Sequence, residues 1–224
     1  MLNLKKTKIM TTGTLKDFIL EGTEMEITNC YTFLGSIVTR DGYGYKEINR
    51  RLSIGRMVMT KLEKIMKDQD IKKATKIKIA ETVIFTAVAY GSESWMVRKK
   101  ERKKIDAFEL WTWRKILRVP WTEKRTNFSV LEEVKPKRSL EAAILRLKLL
   151  YFGHVMRAEG SLEQDIMFGQ VAGYWRQGKP RMRWLDNIKE ATGLRLDALK
   201  KQCKIGKNGA CWWRKRLGIG NAQM

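Results

Sequence analysis

Residues 108–121 combine aromatic and basic side chains at spacings that suit the binding of nucleic acid. Three of the chain's eight tryptophans fall within eleven positions there, and cations lie between them. Large π-faces among fixed cations favour a polyanion whose bases can stack, namely RNA or single-stranded DNA. On a helix, Lys104, Lys115 and Arg118 would lie within about 40° of Trp111. The predicted nucleic-acid-binding residues of this helix and the turn after it are Lys104, Trp111, Arg114, Lys115 and Arg118.

The same segment also suits the interior of a helical domain. On a helix Trp113 points away from that basic face, toward the side of Ile116 and Leu117, so we predict that it is a core residue. For Trp111 the sequence leaves two interpretations open, a base-stacking surface and a core position. Asp106 and Glu109 also fall on the Trp113 side, which weakens the division of the helix into a basic and an apolar face.

Two more basic runs accompany this segment. Arg98–Lys104 is a dense cationic run that also resembles a nuclear-localisation patch, a match of weak specificity. Gly178–Trp184 presents three cations where a loop is predicted to enter a helix, so we add Lys179, Arg181 and Arg183 to the predicted nucleic-acid-binding residues. Each run alone is more often a solvated face, but together with the overall charge they favour a nucleic-acid partner.

The net charge supports the same partner and is unevenly distributed. The chain of 224 residues carries a formal charge of +22. Residues 1–40 hold five bases and four acids, so nearly the whole excess lies in residues 41–224. Such an excess repels itself unless a polyanion neutralises it. An anionic membrane is the weaker alternative, because the longest apolar stretch, Thr82–Tyr90, is far shorter than a spanning helix.

Residue types that could perform catalysis are sparse. His154 is the only histidine, and no nucleophile motif accompanies it, so a packed or capping role is the simpler interpretation. Asp68 and Asp70 fit local turn and capping roles better than metal binding. The three cysteines lack the spacing of a zinc site, which predicts no metal site, and they suit a reducing intracellular compartment. No secretory signal is recognisable, and the expected location is intracellular, in the nucleus or the cytoplasm.

The hydrophobic pattern predicts an α+β chain that is mostly α. Short strands are expected in the first forty residues, as a small antiparallel sheet. Helices are expected from Tyr45, over Lys72–Tyr90, over Lys99–Val119 and from Ser139. The predicted division is residues 1–40, 41–120 and 121–224. The predicted strands are Thr7–Thr12, Leu15–Leu20, Met25–Ile27 and Tyr31–Thr39, and the shorter predicted helices are 128–134, one beginning at Pro180, 194–203 and 208–217.

Seven motifs, in the same order along residues 1 to about 217, resemble a known family. They are Asn3–Lys8, Phe33–Ser36, Tyr90–Trp95, Asp106–Arg114, Leu117–Trp121, Tyr151–Arg157 and Arg181–Asp186. The family is the reverse transcriptases of non-LTR retrotransposons, in particular the RTE/BovB type. The resemblance implies a C-terminal piece of such an enzyme, with the end of the palm, the helical thumb and the region beyond as its three parts.

The resemblance also implies what this chain lacks. In the family, a palm Asp-Asp pair binds two divalent metals, but no Asp-Asp pair occurs here. We therefore expect no cofactor in this chain and a divalent metal only in the full-length enzyme. Lys6 matches a palm lysine that could donate a proton only in an intact palm. Phe33, Leu34 and Gly35 match the hairpin that grips the primer, and residues 45–95 would be thumb helices.

The expected partners are therefore RNA and DNA template–primer, together with the missing palm and endonuclease segments of the same element, and no membrane. Three alternatives stay open. One is a polymerase subunit that acquires its aspartates from a partner chain. Another is a domesticated or structural helical protein that binds RNA or protein partners. The third is the translation product of a pseudogene without a selected role.

Overall fold

A computed structural model describes residues 3, 7–11, 13, 17–20, 22–158, 160–168 and 182–205, apart from the side chains of Trp121 and residues 202–205. The described residues fall into two compact units. One unit lies within Met1–Gly91 and Trp95–Leu140, and the other within Ser92–Ser94 and Glu141–Met224. The division into residues 1–40, 41–120 and 121–224 stays a prediction.

The first unit begins with short strands that pair two by two. Its described strands are β1 (Lys8–Ile9), β2 (Ile19–Leu20), β3 (Thr23–Glu24), β4 (Glu26–Ile27), β5 (Cys30–Phe33) and β6 (Ser36–Thr39). The β2–β3 and β5–β6 pairs are antiparallel, whereas β1 and β4 are parallel. The single strand expected over Tyr31–Thr39 is instead a hairpin, because Leu34 and Gly35 have φ angles of 46° and 75° and reverse the chain.

Helices follow the strands in the first unit, so the predicted α+β, mostly α class is confirmed. A π-helical turn over Ala80–Ile84 interrupts the helix expected over Lys72–Tyr90. The helix expected over Lys99–Val119 ends two residues early, at Leu117, because Arg118 takes a left-handed conformation. The helices of this unit are α1 (Tyr45–Lys61), α2 (Glu63–Lys67), α3 (Lys73–Ile79), α4 (Phe85–Ala89), α5 (Lys99–Leu117) and α6 (Asn127–Val134).

Gly55 shows how closely α1 is packed in the first unit. A Cβ atom at this position would lie 2.5 Å from Cγ2 of Val88 on α4 and 2.6 Å from Cζ of Phe108 on α5. Glycine lowers helix propensity, yet here it allows three helices to approach one another. Buried side chains of α1 on either side of it, Ile48 and Leu52 among them, complete this contact with the core.

The second unit packs its helices around an apolar cluster that includes Leu149, Phe152, Ile188 and Leu199. Lys148 is also buried there, and its ammonium donates to Oδ1 of Asn187 at 2.8 Å. Its helices are α7 (Leu140–Arg157, whose first residue belongs to the other unit), α8 (Leu162–Phe168), α9 (Trp184–Thr192) and α10 (Leu196–Ile205).

The structure also tests several smaller predictions. Asp68 accepts the Asp70 N–H at 2.9 Å, which is the local turn role that was expected. The helix predicted over 128–134 begins one residue earlier, and Thr126 caps it by accepting the Ser129 N–H. His154 is exposed in the last turn of α7 rather than packed. The expected helix over 208–217, and its start at Pro180, lie outside the described residues. Among the described helices, none has the length and apolar content needed to cross a bilayer.

Candidate nucleic-acid interface

The β5–β6 hairpin presents an apolar tip to solvent. Its two central residues, Leu34 and Gly35, both have positive φ, as a two-residue type I′ turn requires. The register pairs Phe33 with Ser36 directly beside this turn. Leu34 is 77% exposed and Phe33 is 59% exposed. The predicted primer-grip residues therefore lie at one protruding point, with two large apolar side chains available to a partner.

Two arginines of α1 hold the turn of this hairpin. Arg50 and Arg51 both donate to the carbonyl oxygen of Gly35. Both also form 2.7 Å ion pairs with the carboxylate of Glu47, which is 3% exposed. Glu47 in turn accepts the backbone N–H of Ile37 at 3.0 Å. We call Glu47, Arg50, Arg51 and the Gly35 carbonyl the hairpin anchor.

Electrostatics at the hairpin anchor favour the ionised carboxylate. Burial opposes ionisation of Glu47, but hydrogen bonds from Arg50, Arg51 and the Ile37 N–H outweigh it, so the pKa of Glu47 lies below its ordinary value. The Glu47 carboxylate therefore compensates one of the arginines' two positive charges inside the unit. Their role in the structure is to hold the turn.

Two motifs that are far apart in sequence meet at the hairpin. The Tyr90 hydroxyl donates to the Leu34 carbonyl at 3.3 Å, and the Arg51 guanidinium lies 4.4 Å from the centroid of the Tyr90 ring. Gly91 is so close to the hairpin that a Cβ atom on it would lie 2.7 Å from Oγ of Ser36. Sequence analysis singled out Phe33–Ser36 and Tyr90–Trp95 separately, and their contact is a property of the fold.

On α5 the two neighbouring tryptophans occupy different environments. Trp113 is fully buried, as predicted, and its ring meets Phe85 edge-on with centroids 5.1 Å apart. Its indole N–H donates to Oε1 of Glu109 at 3.2 Å. Trp111 is half-buried, and its ring lies 5.7 Å from that of Phe108. Trp111 therefore keeps part of its ring accessible to solvent.

The acid on the apolar side of α5, Glu109, has a structural role. It is buried, and its second oxygen accepts the Leu140 N–H at 2.8 Å. That N–H belongs to the first turn of α7, whose orphan donors need acceptors. The carboxylate thus links the middle of α5 to the beginning of α7. Its position does not contradict the division of α5 into a buried and a basic side.

Helices α1 and α5 run side by side in the same direction and expose a common basic surface. Near their beginnings, Lys104 Nζ donates to Oδ1 of Asn49 at 2.8 Å. Further along, the Arg56 guanidinium lies 5.9 Å from the centroid of the Phe108 ring. We call the surface formed by Asn49, Arg56, Lys104 and Trp111 the α1/α5 seam. Sequence analysis missed Arg56, although it follows Asn49 by seven residues and so shares its helical face.

Beyond the seam, the C-terminal end of α5 borders an open groove of about 650 Å³, which we call the α2/α5 groove. A hydrogen bond from Lys67 lowers the pKa of the Glu63 carboxyl below its ordinary value, and the nearby charge of Lys115 lowers it further. Arg118 ends the helix with a φ of 56°. The groove is lined by Lys67, Arg114, Lys115, Arg118, Val119 and Pro120.

The remaining predicted site residues belong to the second unit or lie outside the described residues. Arg183 belongs to the second unit, is exposed and immediately precedes α9, and its backbone N–H donates to Oδ2 of Asp186 at 2.6 Å. Lys6, Lys179 and Arg181 lie outside the described residues. Thus the structure brings Arg114, Lys115 and Arg118 together in the groove and places Lys104 and Trp111 on the adjoining seam.

Across the part of the chain that the structure describes, no three His, Cys, Asp or Glu side chains converge as metal ligands would. The expectation that metal-binding aspartates belong to another part of a full-length enzyme stays a prediction.

Comparison with known proteins gives one informative similarity. No protein-family model matches the chain, and no solved structure does. The chain is 20% identical over 173 residues to the transposon-derived protein F52C9.6 of Caenorhabditis elegans. The similar region covers 75% of this chain and 62% of that protein. This similarity indicates a transposon-related origin.

Proposed function

We propose that this chain is a nucleic-acid-binding C-terminal part of a retroelement reverse transcriptase, an RNA-directed DNA polymerase. It would hold RNA or a template–primer duplex against the α1/α5 seam. The observation that supports this most directly is the alignment of Arg56 and Lys104 along two parallel helices beside the half-buried ring of Trp111. The transposon-related origin is compatible with it.

The charges of the seam are available to phosphates because their partners in the fold are neutral. Lys104 donates to an amide oxygen, and Arg56 faces an aromatic ring, so neither contact cancels a positive charge. From Lys104 on the seam to Lys115 in the adjoining groove the helix rises about 17 Å, which matches the axial length of about five base pairs. A row of cations on this scale would contact backbone phosphates without reading sequence.

The hairpin anchor contributes a second element to the proposal. Its rigid attachment to α1 would hold Phe33 and Leu34 at a fixed position relative to the seam, since both surfaces arise from the same helix. Apolar side chains can pack against the sugar and base faces of a primer terminus while the cations of the seam bind its phosphates. Catalysis would remain with metal-binding aspartates of the palm, which this sequence lacks.

The test is salt-dependent binding of an RNA–DNA hybrid duplex, measured by fluorescence anisotropy. If about six phosphates are contacted, the affinity should fall about a thousandfold between about 50 and 200 mM salt. Replacing both seam cations, in Arg56→Gln with Lys104→Gln, should reduce the slope of log K against log salt by about 2. The matched control is Lys99→Gln with Lys103→Gln, which removes the same charge from exposed positions of α5.

A flat salt titration of the unaltered chain would contradict the proposal. Equal slopes for the seam variant and its control would also contradict it, because binding would then depend on total charge alone. Thermal melts of both variants establish that each is folded before its affinity is interpreted.

A further inference from the structure

The α2/α5 groove has the composition of an anion site. Within the residues that the structure describes, no carboxylate forms a salt bridge with Arg114, Lys115 or Arg118. Glu63, whose carboxyl interacts with the charge of Lys115, already forms a 2.7 Å ion pair with Lys67. The groove therefore concentrates positive charge that the fold leaves unbalanced, and an external anion would balance it.

Arg114 is held in position without losing its charge. Its guanidinium donates to the Arg125 carbonyl at 3.1 Å and to Oδ1 of Asn127 at 2.8 Å. Both acceptors are neutral, so they orient the group but leave its full charge for a ligand. A guanidinium fixed in this way loses less conformational freedom when it binds a phosphate.

The end of α5 would normally disfavour an anion, because helix C-terminal carbonyls carry partial negative charge. Here two of those carbonyls are occupied. The Val119 N–H donates to the Arg114 carbonyl at 3.1 Å, and the Arg118 N–H donates to the Lys115 carbonyl at 3.3 Å. Because Arg118 takes a left-handed conformation, the chain turns back and both backbone N–H groups reach these carbonyls. The same turn places Val119 and Pro120 in the wall of the groove.

We propose that the α2/α5 groove is a binding site for two or more adjacent phosphate groups. Its volume of about 650 Å³ exceeds what one phosphate fills, and its cations come from two helices. Val119 and Pro120 supply an apolar wall against which a sugar or base can rest. The phosphates could be consecutive groups of a polynucleotide strand, in which case the site rests on the proposed function, or those of a free oligophosphate.

The test uses two probes, sodium tripolyphosphate and a ten-nucleotide thymidine oligomer, each titrated calorimetrically into the full chain. The groove variant combines Lys115→Gln with Arg118→Gly. The matched control combines Lys103→Gln with Lys135→Gly. Lys135 ends α6 with a φ of 48°, as Arg118 ends α5, so both variants remove two charges and place glycine at one left-handed helix end. Glycine is favoured at both positions, which protects the fold.

We expect tripolyphosphate to bind the unaltered chain and the groove variant to bind it about tenfold more weakly, with little change in the control. Weaker binding of both probes by the groove variant would identify strand phosphates as the ligand, and weaker binding of tripolyphosphate alone would identify a free oligophosphate. Absence of saturable tripolyphosphate binding, or equal losses in both variants, would overturn the proposal. The seam variant is independent of this result, since it alters neither Lys115 nor Arg118.

Discussion

The hairpin anchor and the α1/α5 seam share helix α1 and use its arginines for opposite purposes. At the anchor, Arg50 and Arg51 share the buried carboxylate of Glu47 and hold the Gly35 carbonyl. On the seam, Arg56 faces an aromatic ring and makes no such ion pair among the described residues. One set of cations stabilises the fold, and the other keeps its charge available to a ligand.

This difference shows that the role of a basic residue depends on whether a carboxylate lies within its reach. Glu47 lies three and four residues before the two arginines, which is the spacing at which side chains meet on a helix. Arg56 has no acid at the corresponding positions, Leu52 and Ser53. Counting charge along this chain cannot separate the two groups, whereas looking for the nearest acid on the same face does.

The largest effect should come from removing the shared carboxylate. We expect Glu47→Ala to destabilise the first unit by about 3–5 kcal/mol, because it leaves a buried guanidinium without its partner. Urea denaturation at neutral pH measures this change. The matched control is Glu63→Ala, which removes a carboxylate from an exposed ion pair one helix later and should change stability little. Similar effects of the two variants would show that the anchor is no more important than a surface pair.

The two tryptophans of α5 allow residues that bind a ligand to be distinguished from residues that stabilise the fold. Trp111→Ala should weaken the binding of single-stranded RNA by about 1–3 kcal/mol if its accessible ring stacks on a base. Trp113→Ala should instead destabilise the fold, since its ring is fully buried against Phe85. Anisotropy and thermal denaturation, applied to both variants, separate these outcomes. Loss of folding in Trp111→Ala would assign that ring to the core.

These contrasts show which features the sequence could predict. The α+β class, the beginning of α5 at Lys99 and the burial of Trp113 followed from local periodicity. The contact of Tyr90 with Leu34 joins residues 56 positions apart, and the acceptor role of Glu109 depends on a helix 31 residues away. Such contacts depend on how elements pack, which periodicity does not describe. Arg56 was missed for a simpler reason, since it is isolated rather than part of a basic run.

A smaller effect should follow from crowding the approach of α1 to its neighbours. In Gly55→Ala the added methyl would lie within 2.6 Å of both Val88 and Phe108. Overpacking of this kind typically costs about 1–3 kcal/mol, and the gain in helix propensity returns about 1 kcal/mol. We therefore expect a net destabilisation of about 1 kcal/mol by thermal or urea denaturation. The control is Ser53→Ala, at an exposed position of the same helix. A stabilised Gly55→Ala chain would contradict the prediction, because it would mean that α1 can move away from Val88 and Phe108 without loss of stability.

The finest distinction between anchor and seam is their dependence on pH. Because the folded state lowers the pKa of Glu47 below its ordinary value of 4.5, the ionised carboxylate contributes stability above that pH. This contribution is lost as the pH falls through the lowered value, whereas the seam contains no carboxylate. The stability advantage of the unaltered chain over Glu47→Gln should therefore be constant near neutrality and shrink below about pH 4.5. Urea titrations from about pH 7 to pH 3 measure this difference, and parallel profiles would mean that proton binding at Glu47 is unaffected by folding.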